Sequence, residues 1–189
     1  MHLQEEKDLL RRIKNDPQAF SILYDAYYTP IFAYALRRLG QYELARDVTA
    51  ETFLKAFQKI NTFQWRNIPV STWLYRIATN EINLYFRSSK YRPSSIENTN
   101  LYLPYEEGIE TEKAALAQAF KEHKEFTAIQ QQLLQLDIKY QEVIALRFFE
   151  EKSIKQVAEI LGKNEGTVKS LLSRGLEKLR TLVNKELNG

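Results

Sequence analysis

The stretch from Ser71 to Arg92 constrains this chain most. Its apolar residues Trp73, Leu74, Ile77, Ala78, Ile82, Tyr85 and Phe86 recur at helical spacing, so they share one face and need a core to cover them. Pro69 stands just upstream, and Ser71 is placed to cap the first turn. Arg76, Asn80, Asn83, Arg87 and Lys90 line up on the other side. Cations and carboxamides with no carboxylate among them suit phosphates and base edges. On spacing alone, a solvated basic face fits equally well.

The remaining sequence also reads as helix. Leu3, Leu10 and Ile13 mark a short helix over 3–14. Asp16 and Pro17 form a start signal for a second, which buries Phe20, Leu23, Tyr24, Tyr27, Ile31, Tyr34 and Ala35 and ends at Gly40. Pro30 is expected to kink it. A third helix, Glu43 to Ile60, has an inner face of Ala45, Val48, Thr49, Thr52, Phe53, Ala56, Phe57 and Ile60. Its outer face carries Asp47, Glu51, Leu54 and Gln58. An apolar residue flanked by two acids is a place for a partner, although single exposed leucines are common. The loop 61–71 holds Phe63, Trp65 and Arg66 beside the basic stripe, where aromatics can stack on unpaired bases or simply close the end of a bundle.

Composition shifts after Arg92. Residues 93–110 are rich in Ser, Asn, Pro and Glu and read as a linker, with helical character returning from about Thr111. Residues 1–92 carry 14 Lys and Arg against 9 Asp and Glu, residues 93–128 carry 3 against 7, and residues 129–189 carry 10 against 8. Two basic blocks joined by an acidic connector suit a protein whose ends touch nucleic acid. We place a first domain at 1–92, a partly helical acidic linker at 93–124 and a second domain at 125–189.

The second domain has a sharper pattern. Tyr140, Val143, Ile144 and Arg147 share a helix; Ser153 caps another that ends at Gly162; Asn164 caps a third. A short helix, a Gly turn and a longer helix make a helix-turn-helix, and an αα-hairpin without a DNA role is the alternative. Val168, Leu172 and Leu179 face inward, leaving Glu165, Lys169, Ser170, Ser173 and Arg174 on the open side.

With no cysteine, disulfides, thiolate metal sites and a Cys nucleophile are excluded. His2 and His123 have no metal-ligand spacing, no cofactor or metal is expected, and nothing forms a nucleophile–base pair or a phosphate loop. No apolar run reaches the roughly 18 residues of a membrane span, and the acidic N-terminal stretch does not read as a signal peptide, so the expected place is the cytoplasm.

Three stretches together resemble the extracytoplasmic-function group of bacterial sigma factors, in the sigma-70 family. Asp47-Val48-Thr49-Ala50-Glu51-Thr52-Phe53-Leu54-Lys55-Ala56-Phe57 is similar to the region-two segment that grips the RNA polymerase clamp. Ser71 to Asn80 is similar to the promoter-melting segment, and Gly166 to Ser170 with Ser173-Arg174 to the region-four recognition helix. The resemblance runs from about Phe20 to Leu182 and implies an all-α chain of two small helical domains. It implies a promoter-specificity subunit without enzymatic activity. Its partners would be core RNA polymerase, promoter DNA and a cognate anti-sigma factor. Asp47, Glu51 and Leu54 would meet the polymerase. Arg76, Asn80, Asn83 and Arg87 would lie at the minus-ten element, with Phe63, Trp65 and Arg66 in the loop that holds a flipped base. Lys169, Ser170, Ser173 and Arg174 would read the minus-35 element. The chain departs from the family pattern at Leu84, often Asp; at Asp137, often Pro; and at Leu171, often Arg. A free-standing helix-turn-helix regulator and a helical adaptor without a DNA role are the rival readings.

Overall fold

The computed structural model describes residues 2–65, 68–87 and 129–187, and every regular element among them is helical. The first half contains α1 (Leu3–Asn15), α2 (Phe20–Leu39), α3 (Tyr42–Lys59) and α4 (Val70–Arg87). In the second half residues 129–134 are helical. They are followed by α5 (Ile138–Ile144), which runs into a π-helical turn, Ala145–Phe149, and then by α6 (Ile154–Leu161) and α7 (Glu165–Leu187). Residues 88–128, where the linker, its boundaries and Lys90 fall, lie outside the described residues, as does Arg66.

Local signals account for most element ends. The Asp16 side chain accepts from the Gln18 backbone N–H at 3.1 Å, and Pro17 opens a 3-10 turn that leads into α2. α2 continues as a single helix through Pro30 and stops at Gly40, whose φ of 68° is the left-handed conformation glycine adopts without a Cβ penalty. Phe20, Leu23, Ile31 and Tyr34 of α2 pack with Val48, Phe53 and Ala56 of α3 and with Leu74, Ile77, Ala78 and Ile82 of α4. Each large apolar side chain buried there contributes about 1.5–3 kcal/mol.

The start of α4 differs from the expectation. Ser71 does not cap it; Ser71 is buried inside the helix. The Val70 N–H instead donates at 2.8 Å to the carboxylate of Glu6, from α1, whose other oxygen accepts from the Tyr27 hydroxyl at 2.6 Å. A carboxylate at a helix start meets both the free N–H and the positive end of the helix dipole. Burial, and the Glu6 carboxylate beside it, hold the Tyr27 hydroxyl well above its usual range, so it stays a donor.

α1 buries Leu9, Leu10 and Ile13 and leaves Leu3 exposed. One further expectation is corrected. Phe57, read as an inner residue of α3, is 44% exposed although its ring meets Phe20 edge-on at 5.1 Å.

In the second half, Tyr140, Val143, Ile144, Val157, Ile160, Val168 and Leu172 form the core. Gly175 lets α7 cross α5 closely: a Cβ there would stand 3.1 Å from Ile144 Cδ1 and 3.2 Å from Tyr140 Cβ. Arg147 continues the helix of Tyr140, which changes there from α to π. It lies exposed in the π turn and donates to the Lys152 carbonyl at 3.1 Å. The halves are in contact, with α4 against α6 and the π turn against α2.

Candidate nucleic-acid interface

Four residues of the basic stripe are described, and the helix places them on the side away from the first-half core. Arg76, Asn80 and Arg87 are exposed and Asn83 is half-buried. The opposite side is fixed by Leu74, Ile77, Ala78 and Ile82, all buried, and by the Thr79 hydroxyl, which donates to the Tyr75 carbonyl at 2.7 Å and meets the Tyr34 hydroxyl at 2.9 Å. A half-turn of rotation about α4 would bury Arg76 and expose Leu74, so the stripe is held by packing rather than by its own interactions.

Arg76 also borders a cleft of about 340 Å³, lined by Lys59, Phe63, Gln64, Thr72 and Trp73 and by Glu159 of α6. Phe63 stacks on Trp73, with ring centroids 4.3 Å apart and planes 28° from parallel. That stack closes the bundle and presents an aromatic wall. The Thr72 hydroxyl is buried with no hydrogen-bond partner among the described residues. Aromatic surface, two cations, an amide and an unused hydroxyl make a site suited to a planar ring carrying hydrogen-bonding edges. Trp65 is turned elsewhere: it is half-buried, Lys7 lies over its ring at 5.4 Å, and its indole N–H has no partner among the described residues.

Along the stripe a second cleft of about 410 Å³ lies between the halves. Asn80, Asn83 and Arg87 form one wall, and Lys139, Glu142 and Lys163 part of the other. The Asn83 amide nitrogen donates to the Glu142 carboxylate at 2.5 Å.

The helix-turn-helix reads as its sequence predicts. The Ser153 hydroxyl accepts from the Gln156 N–H at 3.2 Å, while the Gln156 side chain accepts from the Ser153 N–H at 2.9 Å. Gly162 ends α6 with φ 62°, and Asn164 accepts from the Thr167 N–H at 2.7 Å at the start of α7. Val168 and Leu172 are buried, and Glu165, Lys169, Ser170, Ser173 and Arg174 stand exposed along α7. Leu171, at one family departure, is half-buried and packs against the core; Leu84, at another, is 61% exposed.

On α3, Asp47 is exposed and Leu54 is 51% exposed, with exposed Phe57 on the same helix. Glu51 is half-buried and pairs with Lys55 at 3.2 Å, which also reaches Glu81 of α4 at 2.6 Å.

Several residues that shape this interface carry no local signal. Glu150 is 9% exposed and accepts the Tyr75 hydroxyl at 2.5 Å and the Arg37 Nε at 3.2 Å, with Arg37 Nη2 closer still. Burial, then the Glu150 charge, push the Tyr75 hydroxyl well above its usual range, which keeps it a donor. Lys152 lies over the Tyr75 ring at 4.4 Å, and burial pulls its ammonium below the ordinary lysine value. Arg37 and Tyr75 lie 113 and 75 residues from Glu150, a separation no periodicity reports.

Comparison with known proteins follows the same division. Residues 23–92 match the family model described as Sigma-70 region 2, and residues 126–179 match that described as Sigma-70, region 4. The chain is 33% identical over 187 residues to the ECF RNA polymerase sigma factor SigW of Bacillus subtilis, covering 95% of this chain and 97% of that one. It is 33% identical over 160 residues to the RNA polymerase sigma factor YlaC of the same organism, covering 84% and 88%. Among solved structures, CnrH in complex with the cytosolic domain of CnrY has a similar fold, with TM-score 0.64 and 23% identity over 94% of this chain and 96% of that one. So does the sigma factor RpoE in complex with the anti-sigma factor NepR from Bartonella quintana, with TM-score 0.61 and 20% identity over 87% and 96%.

Proposed function

We infer how the parts of this chain divide the work from the family to which it belongs, the extracytoplasmic-function RNA polymerase sigma factors, non-catalytic subunits that direct transcription initiation. Residues 1–92 bind the polymerase and the minus-ten element, 93–124 connect, and 125–189 bind the minus-35 element. Asp47, Glu51 and Leu54 contact the polymerase clamp, an apolar centre rimmed by acids. Arg76, Asn80, Asn83 and Arg87 track the minus-ten strand, and Phe63, Trp65 and Arg66 belong to the loop that holds its flipped base. Lys169, Ser170, Ser173 and Arg174 meet the minus-35 duplex from the major groove. The chain works in the cytoplasm. Related sigma factors are found with anti-sigma partners, and we extend that class of partner to this chain.

One observation carries the minus-ten reading: Arg76 belongs at once to the basic stripe and to the aromatic-walled cleft. A strand following the stripe therefore arrives at a pocket that accepts an unstacked base. Extruding a base costs a few kcal/mol, roughly what stacking and two or three hydrogen bonds return.

The test is promoter opening by polymerase carrying this chain, read by permanganate reactivity of unpaired thymines. Asn80→Ala and Arg76→Ala are expected to reduce opening while the helix content stays intact. Glu51→Lys with Leu54→Ala is expected to abolish capture of core polymerase. Full opening with Arg76→Ala would remove that residue from the minus-ten site.

A further inference from the structure

We propose that α1 positions the loop that holds the extruded base: Glu6 and Lys7, neighbours on one helix, fix its two halves from behind. The proposal rests on the reading of the aromatic-walled cleft as the minus-ten base site. α1 lies outside residues 23–92, the stretch that matches Sigma-70 region 2, so that match assigns it no part in DNA binding. The connection between α3 and α4 supplies Phe63, Gln64 and Ile68 to the cleft, and α4 supplies Thr72, Trp73 and Arg76. Among the described residues α1 lines no part of that cleft, yet it touches the connection twice. The Glu6 carboxylate accepts the Val70 N–H at 2.8 Å, and Val70 lies two residues from Ile68 and two from Thr72. The Lys7 ammonium stands over the Trp65 ring at 5.4 Å, one residue along from Gln64.

Docking α1 to the bundle does not need these two contacts. Leu9, Leu10 and Ile13 already bury its apolar face. An apolar side chain at position 6 would extend that face without desolvating a charge, whereas a buried carboxylate must be fully bonded. Glu6 is bonded on both oxygens, by the Val70 N–H and by the Tyr27 hydroxyl at 2.6 Å. Hydrogen bonds to a carboxylate are short and directional, so they fix where α4 begins and with it the far end of the connection. Tyr27 belongs to α2, so three helices meet at this one side chain. Trp65 has no such bond. Its indole N–H is buried without a partner among the described residues, and packing with Lys7 over its face holds the ring. A loop held in advance loses less freedom when the base arrives, and a small displacement of a positioned group is enough to slow the step it serves.

The test uses the full chain, alone and with core polymerase. Its two tryptophans report on the connection directly, since Trp65 lies in it and Trp73 stacks on its Phe63. Glu6→Gln keeps an acceptor oxygen and removes the charge. It is expected to raise acrylamide quenching of the free chain and to slow promoter opening about tenfold at unchanged capture of core polymerase. Lys7→Ala is expected to do the same about threefold, the size of one exposed cation–π contact. A template with unpaired strands across the minus-ten element should shrink either defect, because an unpaired base leaves the stack more readily. A merely structural role predicts instead a lower melting temperature, polymerase capture and opening lost together, and no recovery on the unpaired template; that result would overturn the proposal. Tyr27→Phe frees one oxygen of Glu6 without touching the loop, moves quenching and opening the same way by less, and serves if Glu6→Gln folds poorly. Unchanged quenching in both Glu6→Gln and Lys7→Ala would also overturn it. Raised quenching with unchanged opening is judged against Arg76→Ala. If Arg76→Ala slows opening, the base site stands and α1 has no part in it; if it does not, the minus-ten reading fails while the hold of α1 on the loop stands.

Discussion

Lys169, Ser170, Ser173 and Arg174 stand in solvent along α7, whereas on α4 Asn83 is held by Glu142 and Arg76 lines one cleft with Glu159. The two faces have similar chemistry, hydroxyls or amides among cations, and both are largely exposed; only on α4 does a side chain of the other domain hold one member, Asn83. The difference lies in how each is built. The α7 face depends on the Asn164 cap, the Gly162 turn and the buried Val168 and Leu172, all close in sequence. The α4 helix depends on distant residues: Glu6 fixes its start, Glu142 holds Asn83 and Glu150 holds Tyr75. A face made locally depends on one domain alone, whereas one set by distant contacts depends on the packing of both.

The largest way to break the comparison is at Glu6. Glu6→Ala leaves the Val70 N–H and the Tyr27 hydroxyl without their acceptor, and removing one partner from such a buried charged contact costs about 3 kcal/mol or more. The first domain should unfold at markedly lower urea while the α7 side keeps its helix content, read by circular dichroism with a tryptophan signal; both tryptophans, Trp65 and Trp73, lie in the first half. Coincident loss of the two signals would show that the halves unfold as one unit.

Gly175→Val tests the open side. Its new side chain meets Ile144 and Tyr140 at the α5–α7 crossing, and overpacking of this kind costs about 2 kcal/mol. Binding to a minus-35 duplex should fall, whereas single-strand binding by the first domain should hold. Arg174→Ala is narrower. A base-reading arginine contributes about 1–3 kcal/mol of discrimination, so this variant should lower transcription from the native promoter more than from one with a scrambled minus-35 element. Equal losses would make Arg174 a phosphate contact. Lys169→Ala is expected to reduce both alike.

The smallest effect concerns Glu151, which sits between Glu150 and Lys152 with φ 52°. A left-handed conformation costs a non-glycine residue about 1 kcal/mol, so Glu151→Gly should raise the melting temperature slightly. An unchanged or lower melting temperature would mean that this residue stores no strain.

The same contrast explains what could be read in advance. The caps at Ser153 and Asn164, the stop at Gly162 and the inward Val168 and Leu172 follow from local rules and are observed. So is the placement of Arg76, Asn80 and Arg87 on the side of α4 away from Leu74, Ile77 and Ile82. Ser71 fits a local cap rule, yet a buried carboxylate from α1 displaces it, because a charge at the helix start outcompetes a hydroxyl. Phe57 has inner spacing but lies at the edge of the bundle, where a ring can touch Phe20 and solvent together. Tyr75 sits between the apolar and basic faces of α4, and only the second domain explains it. Glu142 and Glu150 read as ordinary surface acids, because what buries them is a contact between domains.

The bond from Val70 to Glu6 sets an order of events during synthesis. Glu6 leaves the ribosome before α4, and its acceptor oxygen waits 64 residues for the N–H that it will hold. At roughly 5–20 residues per second that is several seconds, during which α1 has an acid with no fixed place. Once α4 has emerged the stripe is complete, yet Glu142 and Glu150 are still to be made. A nascent chain therefore passes through an interval in which Asn83 and Tyr75 are in place on α4 and their acceptors are not.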